Sequence, residues 1–284
     1  APVEPGSFAV HLQVRTKTSA KVERRFDANQ IALLEKLNRA DRAHLDRLSV
    51  LVAPDRWDLD ELAYSPLPHE PRWAYGRAKA LVIHVPGQVF GAYENGRLVR
   101  WGPVSSGYAR VPTPEGLYHL NWKSPGRHST VDPEWYMRWY FNFGNREGMA
   151  LHAYALPGKP ASHACVRLLE RDAVWLYHWG ETWELSPDGR EVRKPGTPLW
   201  IYGKYRFGES PPWLSIDWWR TPLELPAPAE GWISGQPDAR ARTSLAFVRA
   251  DDLGDGLVEI LPRHLEPPAL GTNHFDKALR LVEK

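Results

Sequence analysis

The sequence predicts a mainly β domain in the middle of the chain, with a small helical region before it and a Pro- and Trp-rich extension after it. Three observations predict this arrangement. Short apolar or alternating runs, separated by turn residues, occupy the middle of the chain; leucines at helical spacing mark the beginning; and the composition shifts again near the end. The predicted parts are residues 1–77, 78–205 and 206–284.

Length and composition indicate a folded globular protein and argue against several other classes. The chain has 284 residues, of which 43% are hydrophobic and 25% charged, as in a folded globular protein of one large or two ordinary domains. Its 36 Lys and Arg nearly balance 34 Asp and Glu, whereas a nucleic-acid binder usually carries a basic surface. No uninterrupted apolar run is long enough to predict a membrane-spanning helix.

The first part is predicted to hold one strand and one helix. Apolar residues alternate from Phe8 to Val14, as in a half-buried strand, and helical spacing runs from Asp27 to Leu48, with Asp27 or Asn29 as the N-cap. The segment LNRAD…LSVLVAP resembles the second half of a LysM-type wall-binding repeat. The alternative is an amphipathic helix packed on the main domain, followed by a connector over 54–77.

The central part is predicted to contain a series of strands and one helix. The Asn95-Gly96 pair predicts a two-residue hairpin turn, and Gly180 is predicted to end the helix. The polar and aromatic stretch 123–147 is predicted to be a long loop. The other predicted elements are strands at ALVIHV, after the VPTPEG turn, at MALHAYA, at SHACVRLL and at TPLWIY, with a helix at ERDAVWLYHWG.

The chemistry of the chain centres on its one cysteine, Cys165. A single cysteine excludes an internal disulfide, a Cys-rich zinc module and an iron–sulfur cluster. A thiol reacts as thiolate, so a nucleophilic cysteine needs an imidazole close by. His163 precedes it by two positions, on the same face if the segment is a strand, and His152 lies on the preceding predicted strand.

The remaining requirements of acyl transfer are also found nearby. Backbone N–H groups of His163, Ala164 and Cys165 are predicted to stabilise an oxyanion, and a backbone carbonyl to orient the base. Arg167, two positions further on, suits a carboxylate group. Two other interpretations stay open: a core thiol with unrelated histidines, or a zinc site formed by His152, His163 and Cys165, although the sequence has no HExxH motif.

The motifs resemble one known family. His152 followed by SHACVRL, with the upstream blocks VRWGPVSSG and VPTPEGLY in the same order, is similar to the signature of the L,D-transpeptidase (YkuD-type) family of peptidoglycan enzymes. The resemblance covers about residues 78–203. It implies an L,D-transpeptidase-type domain, mainly β and sandwich- or barrel-like, with no cofactor and no metal.

The resemblance also implies roles for individual residues. Cys165 would be the acylated nucleophile and His152 the general base, oriented by the carbonyl of Ala153. His163, Arg167, Ser162 and Tyr154 would line the site, with Arg167 near a substrate carboxylate. Ala164 stands where the family usually has Gly; its presence predicts an ordinary φ, because a positive φ would cost Ala roughly 1 kcal/mol.

The implied activity is transfer of a stem-peptide acyl group through Cys165 to an amine of a neighbouring stem, giving a 3-3 or a 1-3 cross-link. One alternative is an L,D-carboxypeptidase with the same site, and another is a non-catalytic wall-binding protein. The substrate implies an exported, periplasmic enzyme, and the start APVEPGS suits a mature N-terminus or a trimmed chain. We expect a monomer.

We also predict positions for two sets of aromatic residues. The residues predicted to form a lid or wall of the site are Trp135, Tyr136, Trp139 and Tyr140. The residues predicted to wrap the extension around the central domain are Trp213, Trp218 and Trp219. A terminal helix is predicted at ALRLVEK.

Overall fold

The computed structural model describes residues 8–129, 131–221 and 223–225 of the chain. The predicted terminal helix and most of the predicted extension lie outside the described residues. In the part of the chain that is described, no helix combines the length and apolar character needed to cross a membrane.

An N-terminal unit of two strands and two helices precedes the main sheet. Strand β1 (Val10–Val14) pairs antiparallel with β2 (Val50–Pro54), and helices α1 (Ala28–Asn38) and α2 (Arg42–Leu45) lie between them in the chain. Asp27 caps α1: its carboxylate accepts the Gln30 N–H at 2.8 Å, and the Gln30 side chain accepts the Asp27 N–H. The predicted strand and the first part of the predicted helix are confirmed.

Two details of this unit differ from the predictions. The helix predicted to continue to Leu48 stops at Asn38, because Arg39 adopts a left-handed conformation with φ of 57° and ends the first helix. Val14 is 80% exposed, because it stands at the free end of the two-stranded sheet. The connector over 54–77 contains two short 3-10 turns, Glu61–Tyr64 and Arg72–Ala74.

The main domain is a curled, mixed sheet of nine strands, so the predicted mainly β fold is confirmed. Its spatial order is β6-β13-β3-β4-β5-β10-β9-β8-β7. The strands are β3 (Lys79–His84), β4 (Val89–Glu94), β5 (Arg97–Ser105), β6 (Gly116–His119), β7 (Lys123–His128), β8 (Tyr136–Gly144), β9 (Met149–Ala153), β10 (Val166–Leu168) and β13 (Pro198–Tyr202). The β3–β13 and β9–β10 pairs are parallel, and the other pairs are antiparallel.

The remaining elements lie around this sheet. Helix α3 (Glu170–Trp179) follows β10 and buries Ala173 and Leu176 against the sheet, and Gly180 ends it as predicted. Strands β11 (Glu184–Leu185) and β12 (Val192–Lys194) form a separate ribbon, and α4 (Ile216–Arg220) comes last. The predicted Asn95-Gly96 turn is confirmed, with φ of 49° and 84° joining β4 to β5.

The prediction of a long loop over 123–147 is wrong, because this stretch forms the hairpin of β7 and β8. Its aromatic residues favour strands, and Phe141 and Phe143 are buried in the main core. The period-two pattern is broken by a bulge: Trp139 has φ of 54°, and the register of β8 against β9 shifts between Arg138 and Phe141. The bulge obscured the strand in the sequence.

One arginine connects the N-terminal unit to the sheet and to the chain after residue 206. The side chain of Arg39 is fully buried, and it donates to the carbonyl oxygen of Gly87 in the β3–β4 turn at 2.8 Å. It also donates to two carbonyls at the end of α1, and burial lowers its pKa to about 9. Its guanidinium lies 5.2–5.4 Å from the rings of Trp213, Trp218 and Trp219.

Charged side chains make a second connection between α1 and the main domain. The buried Lys36 donates to the Trp101 carbonyl at 2.7 Å and pairs with Glu61. Arg171 of α3 pairs with Glu35 and donates to the Ala32 carbonyl at 3.0 Å. The N-terminal unit is therefore fixed to the main domain by buried polar contacts and by apolar packing.

We expect Arg39→Ala to lower the free energy of unfolding by at least about 3 kcal/mol, because buried carbonyl oxygens lose their donors and a cavity opens between indole rings. Arg42→Ala is the matched control, since Arg42 and Glu23 form an exposed ion pair that contributes under about 1 kcal/mol. Urea unfolding followed by tryptophan fluorescence measures both values. Equal stability of the two variants would contradict this account of the connection.

Candidate active site

The parallel pairing of β9 and β10 brings two of the predicted site residues together. In this pair, Arg167 lies directly opposite His152, and Cys165 is the residue immediately before β10. One face of the two strands points into the core with Leu151, Ala153, Val166 and Leu168. Because side chains alternate along a strand, the opposite face carries Ala150, His152, Cys165 and Arg167.

The loop that leads to Cys165 is held by the end of β5. The amide N–H groups of Ala161 and Ser162 both donate to the Ser106 carbonyl oxygen at 3.0 Å, and Ala161 N–H also reaches the Ser105 hydroxyl at 3.0 Å. In return, the carbonyl of Ser162 accepts from Tyr108 N–H at 2.8 Å. Ser162 is 3% exposed, and its backbone fixes the loop to this strand end.

Thr113 holds the other side of this loop. Its Oγ1 accepts the Gly107 N–H at 2.8 Å and donates to the Ala164 carbonyl oxygen at 3.0 Å. The Ala164 N–H donates to the Val111 carbonyl at 3.2 Å. Both hydrogen-bonding groups of Ala164 are therefore used by the segment that contains the VPTPEG turn.

Two predictions about Ala164 are wrong. Its φ is 63°, in the left-handed region and not in the ordinary one, so the loop carries local strain of roughly 1 kcal/mol that a glycine would avoid. Its N–H is bonded to Val111 and cannot also stabilise an oxyanion. The N–H groups of His163 and Cys165 have no acceptor among the described residues, so two of the three predicted donors remain.

His152 has the geometry of a neutral base. Its Nδ1 lies 3.2 Å from the carbonyl oxygen of Ala153, so the ring N–H at Nδ1 donates and Nε2 keeps a free lone pair. The side chain is buried, and this burial, assisted by the charge of Arg167, lowers its pKa to about 4. At neutral pH the imidazole is therefore uncharged and able to accept a proton.

Cys165 is partly buried against the aromatic residues of β8. It packs against the cluster of Met137, Tyr140 and Ala150, and its Sγ lies 3.9 Å from the Gly148 carbonyl oxygen. Burial raises the pKa of the thiol. A backbone hydrogen bond from Ala150 and the charges of two arginines, Arg167 and Arg127, act in the opposite direction without reversing the shift.

The position of His163 differs from the prediction. Residues 162–165 are not part of a strand, because the left-handed Ala164 interrupts the extended run, and β10 begins only at Val166. The His163 ring lies between the rings of Tyr108 and Trp135, with centroid distances of 4.9 Å to each. Burial and the charge of Arg167 lower its pKa.

Arg167 is a buried cation on the same face as the thiol. It is 4% exposed, its guanidinium lies 4.6 Å from the centroid of the Tyr154 ring, and Nη1 is 3.5 Å from the Ala155 carbonyl. Burial lowers its pKa to about 10, which leaves it charged at neutral pH. It has no carboxylate partner among the described residues, so this site is suited to a carboxylate ligand.

Some residues that shape the site were not assigned a role from the sequence. Gln88 is fully buried with φ of 49°; its amide donates to the Ser106 hydroxyl and accepts the Ser106 N–H, each at 2.8 Å. Ser105, Ser106 and Thr113 lie in the VRWGPVSSG and VPTPEGLY blocks. The two motif blocks are visible in the sequence. Their contacts with the loop that leads to Cys165 are visible only in the structure.

The four aromatic residues predicted as a lid have different surroundings. Trp135 packs on His163, and Tyr140 is buried beside Cys165 with its hydroxyl donating to Gly148 O at 2.9 Å. Tyr136 packs against His128, and Trp139 donates to Glu170 at 2.7 Å. Two of the four residues therefore adjoin the site.

The zinc interpretation receives no geometric support. Among the described residues, no three His, Cys, Asp or Glu side chains are grouped so as to hold a metal ion. His163 lies between two aromatic rings and has no contact with His152 in the described part of the chain.

We expect alkylation of Cys165 by iodoacetamide to accelerate with pH and to reach its midpoint above the ~8.5 of an ordinary thiol. A raised pKa lowers the thiolate fraction at every pH, and a neutral His152 supplies no charge to offset it. Mass spectrometry measures the rate at one site, because the chain has one cysteine. Glutathione is the reference thiol. A midpoint at or below pH 7 would instead indicate a thiolate–imidazolium pair.

Comparison with known proteins assigns the main domain to a family. Residues 78–218 match the family model of the YkuD L,D-transpeptidase catalytic domain. No curated protein matches the chain.

Several solved structures are similar to it. An L,D-transpeptidase from Xylanimonas cellulosilytica is 26% identical, with 62% of this chain and 81% of that chain covered and a TM-score of 0.40. One from Stackebrandtia nassauensis is 22% identical over 47% and 59%, with a TM-score of 0.38. L,D-transpeptidase 1 from Mycobacterium tuberculosis is 19% identical over 44% and 62%, with a TM-score of 0.34.

The match with the Stackebrandtia and Mycobacterium tuberculosis structures covers about three fifths of their length. The matched family segment contains all the predicted site residues, from His152 to Arg167, and ends within α4. Residues 78–218 of this chain therefore belong to the YkuD family of L,D-transpeptidase catalytic domains.

Proposed function

We propose that this protein is a peptidoglycan L,D-transpeptidase that joins stem peptides through a thioester on Cys165. One observation carries the proposal: within the matched family segment, the single thiol, a neutral histidine and a buried arginine without a carboxylate lie on one face of the β9–β10 pair. The family acts in the cell wall, which supports an extracytoplasmic site of action.

The first half-reaction forms the acyl-enzyme. His152 Nε2 accepts the thiol proton as Sγ of Cys165 attacks the scissile carbonyl carbon of the donor peptide. The N–H groups of His163 and Cys165 stabilise the resulting oxyanion. The tetrahedral intermediate then collapses, the C–N bond breaks, and the leaving amine takes the proton from the His152 imidazolium.

The second half-reaction regenerates the thiol. An amine of a neighbouring stem attacks the thioester carbonyl, transfers its proton to His152, and expels the Cys165 thiolate, which His152 reprotonates. The product is a cross-link of the 3-3 type or, with a donor carbonyl nearer the sugar, of the 1-3 type. In both steps Arg167 and Tyr154 hold a substrate carboxylate and the adjoining peptide.

Hydrolysis is the competing outcome at the same site. If water takes the place of the acceptor amine, the thioester yields a shortened stem peptide, and the enzyme is an L,D-carboxypeptidase. The same residues serve both reactions, so the fate of the acyl group depends on what reaches the thioester.

Wall binding without chemistry is a second candidate, favoured by one feature of the N-terminal unit. The strand predicted ahead of the LysM-like segment is present as β1, and it pairs with β2, with two helices between them in the chain. A 3-10 turn, Val22–Arg24, precedes the two helices. This strand–helix–helix–strand arrangement is the observation that supports wall binding as an alternative to catalysis.

We expect the protein, incubated with purified sacculi, to generate new dimeric muropeptides that mass spectrometry identifies, and Cys165→Ala to generate none while keeping its fold. Trimmed monomers in place of dimers would identify the carboxypeptidase. Sacculus binding without any new muropeptide would favour the non-catalytic candidate. A fully active Cys165→Ala variant would contradict the proposal.

We expect Thr113→Val to slow thioester formation on Cys165 by about tenfold or more, because the Gly107 N–H and the Ala164 carbonyl lose a partner that contributes roughly 1–3 kcal/mol. Thr113→Ser keeps the hydroxyl and is the matched control. The rate of Cys165 acylation by a donor peptide, followed by intact mass, measures the effect. Equal rates in the two variants would show that the hydroxyl does not position the loop.

A further inference from the structure

We propose that Arg127 binds a second carboxylate of the donor peptide, so that Arg127 and Arg167 together select a stem peptide with two free carboxylates. This inference rests on the proposed function. Arg127 takes no part in the reaction steps above, and neither the sequence motifs nor the family match assigns it a role.

Arg127 is on the face of the sheet that carries the thiol. It lies on β7 opposite Met137 of β8, and Met137 is in the apolar cluster against which Cys165 packs. Partner residues in adjacent strands project to the same face. The thiol-bearing face of β9–β10 therefore continues across β8 to the side chain of Arg127.

The guanidinium of Arg127 is held by two aromatic rings and by no acid. It lies 5.0 Å from the centroid of the Tyr140 ring and 5.3 Å from that of Trp122. Among the described residues it has neither a hydrogen-bond acceptor nor a carboxylate partner. Stacking on ring faces leaves the N–H groups at the guanidinium edge directed away from the rings, in the geometry that pairs with a carboxylate.

Two arginines close to this region are paired with acids, unlike Arg127 and Arg167. Arg138, on the next strand, pairs with Glu170 at 2.8 Å, and Arg100 of β5 pairs with Asp172 at 2.7 Å. On the thiol-bearing face, by contrast, both guanidinium groups face aromatic rings and keep their charge available for a ligand.

Arg167 follows Cys165 by two residues on β10, whereas Arg127 lies on β7, across the thiol-bearing face. In the sheet order β10-β9-β8-β7, two strands separate their backbones, which at ~4.8 Å per strand gives roughly 14 Å. The charges of both arginines act on the Cys165 thiol. An extended peptide of a few residues spans this distance, so one carboxylate can pair with each guanidinium while the scissile carbonyl lies at the sulfur.

Such a site would bind a donor peptide with free carboxylates more tightly than the same peptide with these groups amidated. A donor whose second- and third-residue carboxylates are free would form charge-assisted hydrogen bonds with both arginines, whereas a donor amidated at these positions would leave two buried or half-buried cations unpaired. A hydrogen bond between charged groups contributes roughly 1.5–3 kcal/mol, which corresponds to about tenfold or more in affinity.

The test measures binding apart from turnover. In the Cys165→Ala background, calorimetry compares a free-acid disaccharide-tetrapeptide with the same compound amidated at its second and third residues. We expect Arg127→Gln to weaken binding of the free acid about tenfold and to leave the amide unchanged, with Arg127→Lys intermediate. Arg193→Gln, an exposed arginine on β12, is the matched control and should change neither.

Two outcomes would overturn the inference: an acid-to-amide affinity ratio that Arg127→Gln leaves unchanged, as an equal loss for both compounds would, or no binding of the free acid. An equal loss together with a shifted pH profile of iodoacetamide alkylation in the Cys165-containing variant would assign Arg127 to the thiol instead. Discrimination in binding without acylation of the Cys165-containing protein would support the inference and overturn the proposed function alone.

Discussion

The parallel pairing of β9 and β10 is the constraint on which the site depends. Residues 154–165 connect these neighbouring strands, a short crossover for a parallel pair, and no helix occupies it. The register places His152 opposite Arg167, and the connection must return the chain to the start of β10 with the thiol directed to the same face. Contacts from Ser106 and Thr113 hold the connection, and the positive φ of Ala164 completes its final turn.

Burial determines the charge state of this site before a substrate arrives. It lowers the pKa of His152 and raises that of Cys165, so both side chains are neutral at neutral pH. The guanidinium group of Arg167 remains charged in the same region, because its pKa stays at about 10. This arrangement keeps the thiol protonated, and a protonated thiol oxidises more slowly than a thiolate.

Much of the fold could be predicted from the sequence because many turns and helix ends are determined by residues adjacent in the chain. The Asn95-Gly96 turn, the Asp27 cap and the helix ending at Gly180 each depend on neighbouring residues, and each is confirmed. The β7–β8 hairpin was missed because a bulge breaks the alternation. The backbone of Ala164 and the surroundings of His163 depend on contacts with residues 108–113, distant in sequence, so the sequence predicted neither.

The contacts of α1 also affect how the main domain would fold if it were separated from the N-terminal unit. Lys36 neutralises a buried region that includes Asp172, and Arg39 fills the space between three indole rings and the Gly87 carbonyl. A chain cut at residue 78 would expose these rings to water and leave that aspartate without one of its cationic neighbours. The edge of sequence similarity therefore does not coincide with the edge of the cooperative folding unit.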